Sequence, residues 1–249
     1  MIKLKKPEEV ALMVEGGAKL RQVYKQLKQT VKVGISTEEI DRKAEELIIK
    51  VGGQPSFKKV KNYYWSTCLP INEQIVHTPP SKRTLKNGDV LTIDIGMFYE
   101  GFHTDYADTF VVGQTYPKTD RFLEVGKQTL VKAIEVVRAG KRIGNISQVV
   151  EQEIDKAGYF VIKDLTGHGV GRDLHEDPYI FGFLDRPIQK TALIKPGMTL
   201  AIEIIYSQGT EKMKFEKSNE WSIITADRSL SACFEHTVAV TDKKALILT

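Results

Sequence analysis

The apolar positions of this chain follow two rhythms, and the first is helical. Val10, Val14, Tyr24, Leu27 and Val31 recur at helical spacing behind Pro7, Glu8 and Glu9. A proline fixes φ at a first helical position, and acids favour the positive end of the helix dipole, so a helix starts there. Ser36 and Glu39 have capping-box spacing. Ile40, Ala44, Leu47 and Val51 follow as one stripe, which Gly52 and Gly53 close. The spacing predicts two further helices, over about 119–139 and about 145–157.

The second rhythm belongs to strands. The stretch LTIDIGMFYEGFHTDYADTF (91–110) reads as two arms joined by a turn. Its first arm is almost wholly apolar, yet Asp94 sits in the middle, and Asp105 sits in the returning arm. With Tyr99 and Glu100 as the turn, Asp94 faces Asp105, and opposed Cβ atoms lie about 4.5–5.5 Å apart. A bulge at Gly101 would shift that register by one residue. Two ionised carboxylates so close repel each other, and burial makes both costlier. A shared proton, a basic partner or a metal cation would relieve them. No Lys or Arg lies between Asp94 and Asp105. The hairpin alone leaves open the alternative of two exposed aspartates on a wet sheet face.

An internal repeat organises the chain. VKVGISTEEIDRKAEELIIKVGG (31–53) aligns without gaps to VRAGKRIGNISQVVEQEIDKAGY (137–159), at a constant offset of 106 residues. Val31 meets Val137, Gly34 meets Gly140, Ile40 meets Ile146, Ile48 meets Ile154 and Gly52 meets Gly158. Each copy is a helix, a glycine turn and a helix, followed by strand-like sequence. Chance convergence of two helical hairpins is one reading. A duplicated unit is the other: two halves forming one pseudo-symmetric α/β domain, with a cleft where their sheets meet. No linker rich in Pro, Gly or Ser divides the chain.

Composition narrows the function classes. Hydrophobic residues at 41% and charged residues at 27% are ordinary for a globular protein, and the net charge of +4 is small for 249 residues. The short lysine runs in KLKK and SFKKVK read as solvated surface rather than a nucleic-acid patch. Cys68 and Cys233 make no disulfide framework, so a reducing, cytosolic setting fits better. No apolar run approaches the ~20 residues of a membrane helix. The start MIKLKKPEEV has no apolar h-region, so no signal peptide is expected.

Other strands embed polar groups as the hairpin does. GMTLAIEIIY carries Glu203, SACFEHTVAV carries Glu235, and LTGHGVGRDLHEDP places His168 between two glycines with His175 seven residues on. Singly, such acids are more often exposed or locally hydrogen-bonded. Together, four acids and a glycine-flanked histidine form an oxygen-rich set suited to divalent Mn, Co, Fe or Zn, with bridging carboxylates.

These residues resemble the type I methionine aminopeptidases of bacteria. The resemblance spans essentially the whole chain and rests on LTIDIGMFYEGFHTD, GHGVGRDLHEDP and WSIITADRSLSACFEHTVAVT. It implies an α/β pita-bread fold: one domain, 1–249, whose halves (about 1–113 and 114–249) surround a central dinuclear metal site. The cofactors would be two divalent ions. Asp94 would chelate one metal, Asp105 and Glu235 would bridge both, and His168 and Glu203 would complete the other. Glu203 would also be the general base. His175 would contact the scissile amide, and His77 would bind substrate. Trp221, Tyr63 and Cys68 would line the methionine pocket. The implied reaction removes the N-terminal methionine of nascent polypeptides, near the ribosome, in the cytoplasm. The implied protein is a monomer needing neither nucleic acid nor membrane.

The chain departs from that family at four places. Ile204 replaces a usual Pro, Thr78 a usual Gly, Thr104 a frequent Gly and Leu174 a common aromatic. None removes a ligand, but they put pocket shape and residue preference in question. Two rival readings remain. Xaa-Pro aminopeptidases and other pita-bread hydrolases share the five ligands but usually carry an extra N-terminal domain. A non-catalytic pita-bread binding protein would typically have lost ligands, and all five are here. The spacing from His175 to Glu203 leaves no room for the helical insert of type II enzymes.

Overall fold

Four helices form where the apolar stripes place them: α1 (Pro7–Thr30), α2 (Thr37–Lys50), α3 (Pro117–Glu135) and α4 (Ile143–Lys156). The computed structural model describes residues 1–217 and 219–249. Ser36 caps α2 as its spacing requires: its hydroxyl accepts from Glu39 N at 3.2 Å, and Glu39 returns a carboxylate to Ser36 N at 2.9 Å. The third helix begins earlier than expected, because Pro117 supplies a fixed φ at its first turn. It also ends earlier, at Glu135, and the chain then turns so that Gly140 N reaches Ile194 O at 3.1 Å. No described helix is long and apolar enough to cross a membrane.

The helices pack on one face of a ten-stranded sheet. Its centre is four antiparallel strands in the order Val90–Tyr99, Phe102–Val111, Ser231–Val240 and Thr199–Ser207. Leu91, Ile93, Ile95 and Met97 form one core with Leu20, Leu27, Ile40 and Ile48 of α1 and α2. Leu200, Ile202, Ile204 and Phe234 form the other with Phe122, Leu130, Ile146 and Ile154 of α3 and α4. Successive strand residues point to opposite faces, so Asp94, Glu203 and Glu235 are turned away from these helices. Smaller apolar clusters cover that second face, including Ile75, Val76, Ile205, Ile223 and Cys233. A sheet covered on both faces explains why its strands read as nearly continuous apolar runs.

The hairpin register differs from the expected one. The turn is Glu100–Gly101, both at positive φ (46° and 86°), which is the signature of a type I′ turn. Tyr99 therefore pairs with Phe102, Gly96 with Asp105, and Asp94 with Ala107. Asp94 and Asp105 are diagonal rather than opposed, still on one face because the shift is by two residues.

The repeated segments occupy matching places. Gly34 and Gly140 both turn at positive φ (90° and 85°), as do Gly52 and Gly158 (83° and 79°). Gln54–Pro55 pairs with strand 90–99, and Phe160–Val161 pairs with strand 199–207. Asp94 and Glu203 each lie six residues beyond a positive-φ glycine, Gly88 and Gly197.

Helix α3 meets the sheet closely at Gly126. A Cβ there would lie 2.5 Å from the Phe234 ring and 2.6 Å from the Tyr206 hydroxyl. That hydroxyl accepts from Gly126 N at 3.1 Å and donates to Phe122 O. Gly126→Ala is therefore expected to cost about 1–3 kcal/mol by overpacking, although alanine favours a helix by roughly 1 kcal/mol. Urea unfolding measures this; an unchanged or higher midpoint would contradict the packing described.

Candidate active site

Strand register places the acids in two adjacent rows across the sheet. In the first row Asp94 pairs with Ala107, Ala107 with Glu235, and Glu235 with Glu203. In the second, Gly96 pairs with Asp105, Thr237 with Ala201, and Ala201 with His168. The Thr237 hydroxyl accepts from Asp105 N at 2.8 Å and donates to Asp105 O at 2.9 Å, which joins the second row across its middle. One oxygen each from Asp105 and Glu235 and one nitrogen of His168 lie within 4.8 Å of one another. Asp94 and Glu203 fall outside that tight triad, but Glu203 Oε1 is 3.4 Å from His168 Nε2, and both acids line the same cavity.

The electrostatics of this cluster are unbalanced. Burial, with the Asp105 charge second, pushes Asp94, Glu203 and Glu235 far above the usual carboxylate range. Burial pushes Asp105 up to about 7. Burial also lowers His168 to about 3, so its ring is neutral. Its Nδ1 lies 2.8 Å from Gly169 O. A carbonyl only accepts, so Nδ1 carries the proton and Nε2 turns a lone pair toward Glu203. Glu235 Oε1 is buried and has no hydrogen-bond partner among the described residues. Several lone pairs thus converge where only protons or a cation can reconcile them. The donor set of carboxylate oxygens and one imidazole nitrogen fits a divalent metal.

Every candidate metal, catalytic and substrate residue named from the sequence lines one cavity of about 130 Å³. Tyr63, Cys68 and Trp221 form its apolar side; the Tyr63 hydroxyl donates to Thr67 O at 2.8 Å and lies 3.1 Å from Cys68 Sγ. Trp221 packs edge-on to Tyr63, with centroids 5.2 Å apart. His77 holds a left-handed backbone (φ 56°), an uncommon state for a side-chain-bearing residue and one concentrated at functional sites. Burial, with His175 beside it, lowers His77 to about 4. His175 stacks edge-on to His168 at 4.4 Å, and burial lowers it too. His103 and His236 stand outside the cavity: His103 Nδ1 contacts Ser56 Oγ at 2.9 Å, and His236 tilts against Tyr106.

Some contributors were not evident in the sequence. Phe57, Val60 and Val76 line the cavity; in a chain rich in apolar residues nothing marks them. Asp41 of α2 accepts from Ser66 N, Thr67 N and Thr67 Oγ1 at 2.7–2.9 Å, and so fixes the segment that sets Cys68 beside Asp94. The departures also resolve. Ile204 points into the helix-side core, and Thr78 Oγ1 bonds Ser222 Oγ at 2.9 Å. Of the four, Leu174 is the one that lines the cavity.

Comparison with known proteins agrees with this geometry. Residues 11–242 match the description of metallopeptidase family M24. The chain is 39% identical to methionine aminopeptidase 1 of Bacillus subtilis, covering 100% of this chain and 99% of that protein. It is 38% identical to the methionine aminopeptidase of Clostridium perfringens, with coverage of 100% and 99%. A crystal structure of methionine aminopeptidase from Thermotoga maritima superposes with TM-score 0.96 at 33% identity, covering 100% and 99% of the two chains. Prolidase from Pyrococcus furiosus shares the fold at TM-score 0.78 and 22% identity, with 99% of this chain but 65% of that one covered. The fold is the pita-bread fold. With a buried carboxylate–histidine cluster at its centre and a family match over nearly its full length, the chain belongs to metallopeptidase family M24.

Proposed function

We propose that this chain is a methionine aminopeptidase, which removes an N-terminal methionine by hydrolysing the first peptide bond. The observation that carries this is the pair of rows that brings four acids and His168 to one wall of a small cavity whose other wall is apolar. Full-length relatives named for that activity support it. The prolidase reading is less favoured, since that structure is more distant and much longer.

Asp94, Asp105, His168, Glu203 and Glu235 would hold two divalent ions drawn from Co, Mn, Fe or Zn. When bound, such ions supply Lewis acidity and bring the pKa of water near neutrality. Glu203 takes the proton from the attacking water and delivers it to the departing amine as the C–N bond breaks. His175 donates a hydrogen bond to the developing charge on the amide, and His77 orients the substrate backbone. Tyr63, Cys68 and Trp221 receive the side chain. At about 130 Å³ the cavity is well below the ~300–1,000 Å³ of drug-sized pockets, which suits one side chain at a chain end. An unbranched thioether fits an irregular apolar wall with a sulfur contact. The chain would work as a monomer and a single domain with halves about 1–113 and 114–249. Its substrates would be nascent polypeptides in the cytoplasm, near the ribosome, with no nucleic acid or membrane required.

The direct test uses protein stripped with chelator and resupplied with Mn or Co. Peptides beginning Met-Ala should release methionine, and peptides beginning Ala-Pro should stay intact; cleavage of the second kind alone would make the chain an Xaa-Pro peptidase. Glu203→Gln should cut kcat by roughly 10²–10⁴-fold with the fold retained by circular dichroism. A variant of near-normal activity would remove Glu203 from its role.

Metal removal should also give a pH-dependent stability. Asp105 titrates at about 7 in the folded chain against 3.8 unfolded, and its three acidic neighbours are raised as well. The native state then holds protons that the unfolded chain has lost, so stability falls as pH rises toward the folded values. His77 and His168 act oppositely, because their lowered values favour unfolding below the ordinary 6.5. Metal-free protein should therefore melt at higher temperature as pH drops through about 7, where Asp105 takes up its proton, with a smaller gain per pH unit once the histidines oppose it below 6.5. Calorimetry showing a fall over that window would contradict the cluster as described.

A further inference from the structure

Lys5 and Glu176 form an ion pair at 2.5 Å with side chains only 4% and 1% exposed. Burying two charges is costly, and such pairs often add less stability than apolar replacements would. Nothing in the reaction above uses either residue. Their location gives them a use. Glu176 follows His175 in the chain and pairs with Gly169, beside His168, in the sheet. Its second oxygen accepts from Asp173 N at 3.2 Å, which closes the short loop that presents His175. Lys5 is itself fixed: its backbone N donates to Gly197 O at 2.7 Å, and its Nζ also donates to Lys3 O at 3.2 Å. A Cβ on Gly171 would lie 2.2 Å from Lys5 Cε, so the loop passes directly against the lysine stem. Among the described residues no side-chain hydrogen bond holds the His175 ring, whose contact is the edge of His168 at 4.4 Å.

We propose that Lys5 is a positioning residue for His175: through its buried bond to Glu176 it fixes the loop that aims that ring into the cavity. The inference rests on the role given to His175 above. A misaimed ring loses its hydrogen bond to the transition state while the walls of the side-chain pocket stay in place. Lys5→Met should therefore lower kcat about tenfold or more, with KM changed less than about twofold and bound metal unchanged by elemental analysis. Lys5→Arg should recover part of the loss.

The decisive comparison is made in a His175→Ala background. There Lys5→Met should change kcat less than about twofold. An equal loss with and without His175, or no loss in the native background, would overturn the proposal. A His175→Ala protein with unimpaired kcat would instead overturn the role of His175 itself, and is read from that single variant. If Lys5→Met fails to fold with Glu176 left unpaired, Lys5→Met/Glu176→Gln removes the stranded charge and keeps the acceptor for Asp173 N. Its ring resonance for His175, followed by NMR against that of His77, should shift selectively; an unmoved His175 signal would overturn the proposal.

Discussion

Four carboxylates share one face of this sheet around one cavity, and their mutual repulsion is the constraint on which the rest depends. A buried ionised acid without a partner is costly enough that it normally takes up a proton instead. Here, among the described residues, no lysine or arginine lines the cavity. It offers instead a neutral histidine with its lone pair turned inward and an acid oxygen without a partner. That arrangement is unfavourable for the chain by itself and favourable around a divalent cation. The fold must therefore hold the acids in place against their own repulsion.

The means is the sheet. Each acid sits on a strand whose alternate residues are anchored in a helix-covered core: Ile93 and Ile95 flank Asp94, and Ile202 and Ile204 flank Glu203. Sliding any strand by one residue would drive its acid into that core, so register is fixed strongly. Hydroxyls secure what the apolar anchors do not. Thr237 grips both backbone groups of Asp105, and Asp41 collects three donors behind the segment bearing Cys68. On the open side, the buried Lys5–Glu176 pair lies under the loop that carries His175. These are rigid supports, and rigid supports suit a site whose geometry sets its rate.

Much of this was legible in the chain because its signals are local. Ser36 and Glu39 announce a helix start by their spacing, and a lone acid in an apolar strand announces its odd position without reference to anything distant. The glycines of the repeat mark turns that the backbone can make only at positive φ. The hairpin register was not legible, since Tyr99–Glu100 and Glu100–Gly101 are both credible turns until strand pairing selects one. Phe57 and Val60 were not legible for another reason: an apolar residue lining a cavity looks like one lining a core. Lys5 gave no signal either, because its partner is 171 residues away and a lysine in a basic segment reads as surface.

Anomalous diffraction from crystals grown with Mn tests the central claim most directly. The account predicts two peaks roughly 3.5–4 Å apart, within bonding distance of Asp94, Asp105, His168, Glu203 and Glu235. Active, metal-saturated protein whose peaks lie away from these five side chains would contradict it.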